Sequence, residues 1–411
     1  MATGRALLSP WRVVVGFGVV SLAVDLVADG AKSLAGPLLG ELGASALVVG
    51  LVTGGAEALG FGLRLVSGPA VDRTKRYWGF AIVGYVLTAV SVPLMALTPF
   101  LGSMGLAAAA TLIIVERTGK AIRSPAKTVL LAYPAAAVGR GRGFAVHKLF
   151  DQVGAFSGPL IVAAIIAITG ALWPAFAALA LPALIAMVAL LWLRARVPDP
   201  SVYEPAAAAP PDGANGRQQR GGIPLTFLLF SFSTALTTFG LVGFGLISFH
   251  LTEDGLVPLA AVPLVYALGM VVAAVAALAS GRAYDRAGAA VLLVVPVLAA
   301  AVPALSFAPS LAAVFVGVGL WGAATGIQDS TVKALVADLV PAPRRGTAYG
   351  VFAVFQGAGT FAGAALAGAL YPDAALLSLA TVPAQVVAFV LLAVVVLRQR
   401  AAAAETGDSA P

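Results

Sequence analysis

The residues best suited to chemistry in this 411-residue chain fall on one stretch, Val115 to Lys127. There Glu116, Lys120, Arg123 and Lys127 follow one another at i, i+4, i+7 and i+11, a single stripe down one helical face, with Arg117 beside it. Other apolar stretches carry Asp25, Asp29 and Lys32 at i, i+4 and i+7; Glu57 and, seven residues later, Arg64; His147, Lys148 and Asp151; and Asp329 with Lys333. An ionisable side chain in hydrocarbon costs roughly 2.5–3.5 kcal/mol on insertion scales, so it faces a bundle interior or a wet cavity. Two kinds of chemistry fit: structural ion pairs that hold helices in register, or groups that bind a substrate and carry protons. Buried pairs alone seldom add net stability, so a constellation this large favours the second.

Such groups need helices in a bilayer to position them. Hydrophobic residues make up 60% of the chain and charged residues 10%, against roughly a quarter charged in a soluble domain. The chain cannot cover itself with a solvated surface and takes lipid as its solvent. A bilayer core about 30 Å thick is crossed by about 20 apolar residues. Stretches of that size recur at 11–33, 45–67, 78–97, 103–127, 144–168 and 173–195, then at 223–250, 257–280, 288–307, 310–336, 346–370 and 374–397. The expected fold is an all-α membrane protein with twelve transmembrane helices in two pseudo-symmetric six-helix bundles. These are 1–195 and 223–397, joined by a Pro/Gly/Ala-rich cytoplasmic linker, 196–222, and followed by a polar tail, 398–411. Asp25, Asp29 and Lys32 interrupt the first stretch, so it is read as a retained helix and not a cleavable signal.

The net charge of +7 follows the same plan. With the N-terminus inside, Arg5, Arg12, Arg73, Lys75, Arg76, Arg140, Arg142, Arg194, Arg196, Arg217, Arg220, Arg282, Arg286, Arg344, Arg345, Arg398 and Arg400 fall in cytoplasmic segments. The outer loops hold Glu41, Glu253, Asp254 and Asp373 and no base. Topology therefore accounts for the bases without nucleic acid, and places both termini in the cytoplasm. The absence of cysteine excludes disulfides, thiolate metal sites and cysteine nucleophiles. No G-x-S-x-G elbow, P-loop or H-E-x-x-H is present, so neither an enzyme nor a cofactor or metal centre is expected.

The halves repeat. Phe150, Gly154, Phe156 and Gly158 recur as Phe355, Gly359, Phe361 and Gly363, an offset of 205. Parallel repeats are a transporter architecture with the binding site between the halves near the midplane. Gly68-x-x-x-Asp72-Arg73-x-Lys75-Arg76 between the second and third stretches matches Gly281-x-x-x-Asp285-Arg286-x-Gly288 between the eighth and ninth. This pair resembles the loop motif of the major facilitator superfamily, G-x-x-x-D-[RK]-x-G-[RK]-[RK]. Lys75 stands where the second glycine is usual, and the second copy lacks the trailing bases. The resemblance implies that Asp72, Arg73, Asp285 and Arg286, with Gly68, Arg76 and Gly281 of the same loops, serve a cytoplasmic gate between the halves; Asp151, about 10 Å into its helix and nearer the cytoplasm, is expected to join the gate by pairing with Lys148, Arg123 or Lys127. The glycines are expected to allow a tight turn and close helix approach. Gly154, Gly158 and Pro159 resemble the start of the superfamily's antiporter motif, whose last two glycines are here Val162 and Ala163. The plainer reading of these glycines is a helix-packing face. Arg117 lies where drug/proton antiporters of the superfamily carry an arginine.

The expected function is secondary active transport of a small molecule by alternating access, coupled to protons. Efflux by antiport and uptake of a small organic anion or metabolite both remain open, and a non-transporting receptor or sensor of the same fold is the rival outside transport. Asp25, Asp29, Lys32, Glu57, Arg64, Glu116, Arg117, Lys120, Arg123 and Asp329 form the expected substrate and proton pathway. Asp25, about 20 Å into its helix at 1.5 Å per residue, and Glu57, near the middle of the second, are the expected proton carriers. The excess of bases on the fourth stretch tilts the cargo towards an anion or zwitterion. The expected setting is a monomer in the cell membrane, surrounded by lipid.

Overall fold

The computed structural model describes residues 8–203, 224–341, 344–371 and 373–405. Arg5, most of the linker (204–222, with Arg217 and Arg220) and the last residues of the tail, 406–411, lie outside the described residues. Among those described there is no strand. Lipid offers no hydrogen bonds, so backbone groups crossing it must be satisfied within the segment, which a helix achieves.

The helices are α1 (Pro10–Glu41), α2 (Ala46–Thr74), α3 (Tyr77–Leu94), α4 (Gly105–Val138) and α5 (Arg140–Thr169). α6 (Leu172–Arg196) and α7 (Leu225–Glu253) follow. Then come α8 (Val262–Ala287), α9 (Val294–Ser306), α10 (Leu311–Val336), α11 (Arg345–Leu370) and α12 (Ala374–Glu405). Ten helical stretches among the described residues are long and apolar enough to cross a bilayer. One of them, Leu259–Ser306, has 48 residues and breaks after Ala287 into α8 and α9, so it crosses twice. α4, at 34 residues, is long enough but carries too many charges to be recognised by apolarity. Twelve crossings result.

Several helices outrun the apolar stretches that announce them. α1 continues to Glu41, and α4 continues through Pro125 and Pro134 to Val138, where Gly139 alone separates it from α5. Hydropathy marks only the part that lies in hydrocarbon; helix packing carries the backbone further.

Contacts divide the chain into two compact units, Met1–Lys32 with Val66–Gly222, and Ser33–Leu65 with Ile223–Pro411. The first has a core of Phe17, Tyr85, Leu130, Leu190 and Leu193; in the second, Phe227, Phe230, Leu292, Phe352 and Val395 play that part. Each unit uses glycine for close helix contact. In the first, a β-carbon at Gly154 or Gly158 of α5 would overlap the carbonyl of Leu22 or Leu26 of α1. In the second, a β-carbon at Gly359 or Gly363 of α11 would overlap the carbonyl of Ala235 or Phe239 of α7. The repeated glycines thus perform the same packing in both halves, with partners 213 positions apart. Also in the second unit, β-carbons at Gly36 and Gly50 would overlap the carbonyls of Gly245 and Ala364, so the adjoining ends of α1 and α2 pack backbone-close on α7 and α11.

Candidate functional site

The first unit gathers the charged stripe of α4 against α1, α3 and α5. Arg123 lies in the middle and is buried. Its Nη1 donates to Thr88 Oγ1 at 2.8 Å, its Nη2 lies 3.8 Å from Asp25 Oδ1, and its guanidinium carbon is 5.2 Å from the centre of the Tyr85 ring. One turn further along α4, Lys127 Nζ donates to Ser21 Oγ at 3.1 Å and lies 3.6 Å from Asp151 Oδ1. Ser21 Oγ is also 3.2 Å from His147 Nε2, which lies 3.5 Å from Asp151 Oδ1. Lys148 Nζ is 3.9 Å from Asp151 Oδ2, and its side chain is exposed. Towards the other end of the stripe, Arg117 Nε meets Glu116 Oε2 at 3.3 Å, while Glu116 Oε1 is buried without a hydrogen bond. Lys120, between these groups, feels the charges of Asp29, Arg117, Asp25 and Glu116.

The local reason is helical spacing. Asp25 stands one turn after Ser21 on α1, and Thr88 three residues after Tyr85 on α3, so each pair presents a single face. Gly154 and Gly158 bring α5 close enough to α1 for Asp151 and His147 to share the site. Gly84 of α3 and Gly119 of α4 do the same for Arg123: a β-carbon on Gly84 would fall 2.6 Å from the Arg123 β-carbon. The outcome is two adjoining charged clusters, Asp25 with Arg123 and Thr88, and Asp151 with Lys127, His147 and Ser21, set on facing helices.

Of the expected pathway residues, Asp25, Asp29, Lys32, Glu116, Arg117, Lys120 and Arg123 belong to this unit, whereas Glu57, Arg64 and Asp329 belong to the second. Arg64 there stacks over Phe61 at 5.5 Å, and Asp329 lies in the first part of a π-helical turn, Gln328–Val332. Ser21, Tyr85 and Thr88 escaped the sequence reading because neutral polar residues are common in membrane helices; their positions one turn from, or opposite, a charge were the available signal. In the second unit Phe244, Tyr266 and Trp321 cluster with ring centres 4.8, 5.5 and 6.2 Å apart.

The two G-x-x-x-D-R loops differ from expectation in one respect. Gly68 and Gly281 lie inside α2 and α8 with open space around them, so neither makes the turn. The chain turns at Lys75 (φ +53°) and Gly288 (φ +65°), because the helix continues through the Asp-Arg pair and ends only where a residue of positive φ stops it. Asp72, Arg73, Arg76, Asp285 and Arg286 are exposed and form no ion pair among the described residues. Tyr284 of the second loop donates to Asp338 Oδ2 at 2.6 Å.

A separate polar cluster lies where α7 and α11 end. Tyr371 donates to Asp254 Oδ1 at 2.9 Å, and its hydroxyl is 3.2 Å from Nδ1 of the buried His250, whose Nε2 lies 3.3 Å from the carbonyl of Ala308. Burial, the hydrogen bond to Asp254 and the charges of Asp254 and Glu253 push the Tyr371 hydroxyl above the usual phenol range.

Twelve membrane-crossing helices among the described residues, in two units that repeat the same glycine packing seam, with buried charge on helix faces, define a polytopic membrane transporter. The sequence profile of the Major Facilitator Superfamily matches residues 17–319, and the chain belongs to that family. It is 48% identical over 394 residues to a protein of Mycobacterium tuberculosis (strain ATCC 25618 / H37Rv) described as uncharacterised, covering 96% of this chain and 94% of that one. Among solved structures it resembles the nucleoside transporter NupG (TM-score 0.69, 12% identity, 93% of this chain and 99% of that one). It also resembles a POT family transporter in complex with 5-aminolevulinic acid (TM-score 0.68, 13% identity, 94% and 96%). A third is the occupied, inward-facing bacterial homologue of the human lysosomal transporter Spinster (TM-score 0.65, 15% identity, 96% and 98%). At these identities the likeness concerns the fold.

Proposed function

We propose that the protein is a proton-coupled secondary transporter of a small anionic or zwitterionic molecule, working by alternating access, with its coupling chemistry in the first unit. The supporting observation is the network Asp25–Arg123–Thr88 and Lys127–Ser21–His147–Asp151, which brings two carboxylates and a histidine into contact with fixed bases inside membrane helices. A carboxylate that exchanges a proton there changes the charge balance among groups held at ion-pair distance by largely buried helix faces. That is the physical requirement for coupling proton binding to cargo binding. Glu57, in the second unit, is the other proposed proton carrier. Asp72, Arg73, Asp285 and Arg286, idle in this structure, are assigned to the gate that forms at the cytoplasmic end in another state of the cycle. The protein acts as a monomer in the cell membrane, with both termini in the cytoplasm.

The test is flux into proteoliposomes. Small carboxylates and amino acids are first screened for thermal stabilisation of the purified protein, and any hit is followed by counterflow with and without a pH gradient. Asp25→Asn and Glu57→Gln are each expected to abolish pH-driven accumulation while the proteins remain folded. Wild-type proton-driven flux in both variants removes the coupling assignment. Failure of every hit to cross the membrane favours a receptor of the same fold.

A further inference from the structure

We infer that Lys120 and Glu116 form the cargo-recognition pair, and that the cargo is a small carboxylate bearing a hydrogen-bond donor next to it, an α-amino or α-hydroxy acid. The inference rests on the transport reading above and deepens it.

Glu116 and Lys120 stand one helical turn apart, with the glutamate N-terminal to the lysine, the arrangement in which a helix normally forms an ion pair. Here they do not: no carboxylate oxygen of any described residue lies within ion-pair distance of Lys120, and its ammonium makes no hydrogen bond to the protein. Glu116 turns Oε2 to Arg117 Nε at 3.3 Å and leaves Oε1 buried and unbonded. Around Lys120, Glu116, Arg117, Gly119 and Ala121 are buried while Lys120 itself is half-buried, and the acids whose charges act on it are Asp29 and Asp25 of α1 and Glu116 of its own helix. A buried acceptor left without a donor and a cation left without an acceptor each carry a desolvation penalty, and both are relieved by one molecule that offers an acceptor and a donor together.

Charge points the same way. On α1, α4 and α5 the interior ionisable groups are Asp25, Asp29, Glu116 and Asp151 against Lys32, Arg117, Lys120, Arg123 and Lys127, five bases to four acids. Lys120 is the base without an ion-pair partner, so one carboxylate balances the set. The donor of the cargo, an amine or a hydroxyl, then reaches Glu116 Oε1.

The experiment is equilibrium binding to the purified full-length protein in detergent with labelled alanine and lactate, competed by propionate (acceptor only) and ethylamine (donor only). Alanine or lactate is expected to bind, propionate to compete more weakly, and ethylamine not to compete. Lys120→Met is expected to weaken binding by roughly 10- to 100-fold, the worth of a hydrogen bond to a charged group, and Lys120→Arg to restore most of it. Glu116→Gln, which keeps an acceptor but loses the charge, is expected to weaken alanine more than lactate. If Lys120→Met does not fold, the ranking of the competitors on the wild-type protein still decides. Ethylamine competing as well as propionate, no binding of either labelled acid, or full affinity in a folded Lys120→Met protein overturns the inference. Failure of the broader reading looks different. Alanine or lactate that binds but never crosses the membrane keeps the recognition pair and removes transport. pH-driven flux of a neutral or cationic solute, unaffected by Lys120→Met, keeps transport and removes the pair.

Discussion

Lys75 and Gly288 both have a positive φ, +53° and +65°, each three residues after the aspartate of its G-x-x-x-D-R loop. A residue with a β-carbon is strained in that region by about 1–2 kcal/mol. The family glycine therefore serves the end of a helix, and its replacement by lysine leaves the geometry in place at a cost. Lys75→Gly is expected to raise stability by about 0.5–1 kcal/mol, the relief of strain being partly offset by the greater freedom of glycine in the unfolded chain. Gly288→Ala is expected to lower it by about 1–2 kcal/mol. Thermal unfolding in detergent measures both, and a drop in midpoint for Lys75→Gly contradicts the account.

The paired glycine seams give a second prediction. Gly158→Val and Gly363→Val each push a side chain into a helix carbonyl, at Leu26 and Phe239, and overpacking of this kind costs about 1–3 kcal/mol or more. Gly281→Ala, which meets open space, is the control and should unfold with the wild-type midpoint. Equal behaviour of all three means that the repeated motif is not a packing device.

Arg123 is buried with its partners around it, whereas Asp25 is half-buried and 3.8 Å away. Removing one partner of a buried ion pair costs about 3–5 kcal/mol when an uncompensated charge remains. Arg123→Gln, which leaves Asp25 and Lys127 mismatched, is expected to approach that range. Asp25→Asn, which leaves Arg123 its bond to Thr88 and its stacking on Tyr85, should cost clearly less. A denaturation series with the double variant Asp25→Asn/Arg123→Gln reads the coupling, and a coupling of zero denies that the two side chains interact.

Asp72 forms no hydrogen bond or ion pair with its side chain among the described residues, so Asp72→Ala is expected to leave the thermal midpoint and cargo affinity near wild type while lowering turnover several-fold. Transport rate compared with equilibrium binding separates these. Unchanged turnover removes the gating role.

Tyr371 supplies a pH dependence. Its hydroxyl is shifted upward in the folded protein by burial and by its bond to Asp254. The neutral form is thus the one the fold prefers, and its contribution to stability is full below the ordinary tyrosine pKa of about 10 and declines as pH rises beyond it. Unfolding midpoints should fall faster above that pH in the wild type than in Tyr371→Phe. Parallel curves would mean that Tyr371 titrates alike in both states.

Composition and spacing settled what kind of protein this is. An apolar chain with stretches of about 20 residues, arginines at alternate ends and a repeated G-x-x-x-D-R loop has one physical outcome, because lipid cannot satisfy backbone groups and forces helices wherever the chain crosses it. The stripe from Glu116 to Lys127 was legible for the same reason: helical periodicity is fixed, so sequence spacing reports a face. Which groups meet across helices was not legible, since that depends on axial register between segments far apart in the chain. Only the folded structure joins Lys127 to Ser21 and Asp151, gives Arg123 to Asp25 and Thr88, leaves Lys120 unclaimed, and assigns Glu57 and Arg64 to the second unit. The backbone conformation of Lys75 was hidden as well, because a side-chain sequence names the residue at a turn but not the dihedral angle that neighbouring helix ends impose on it.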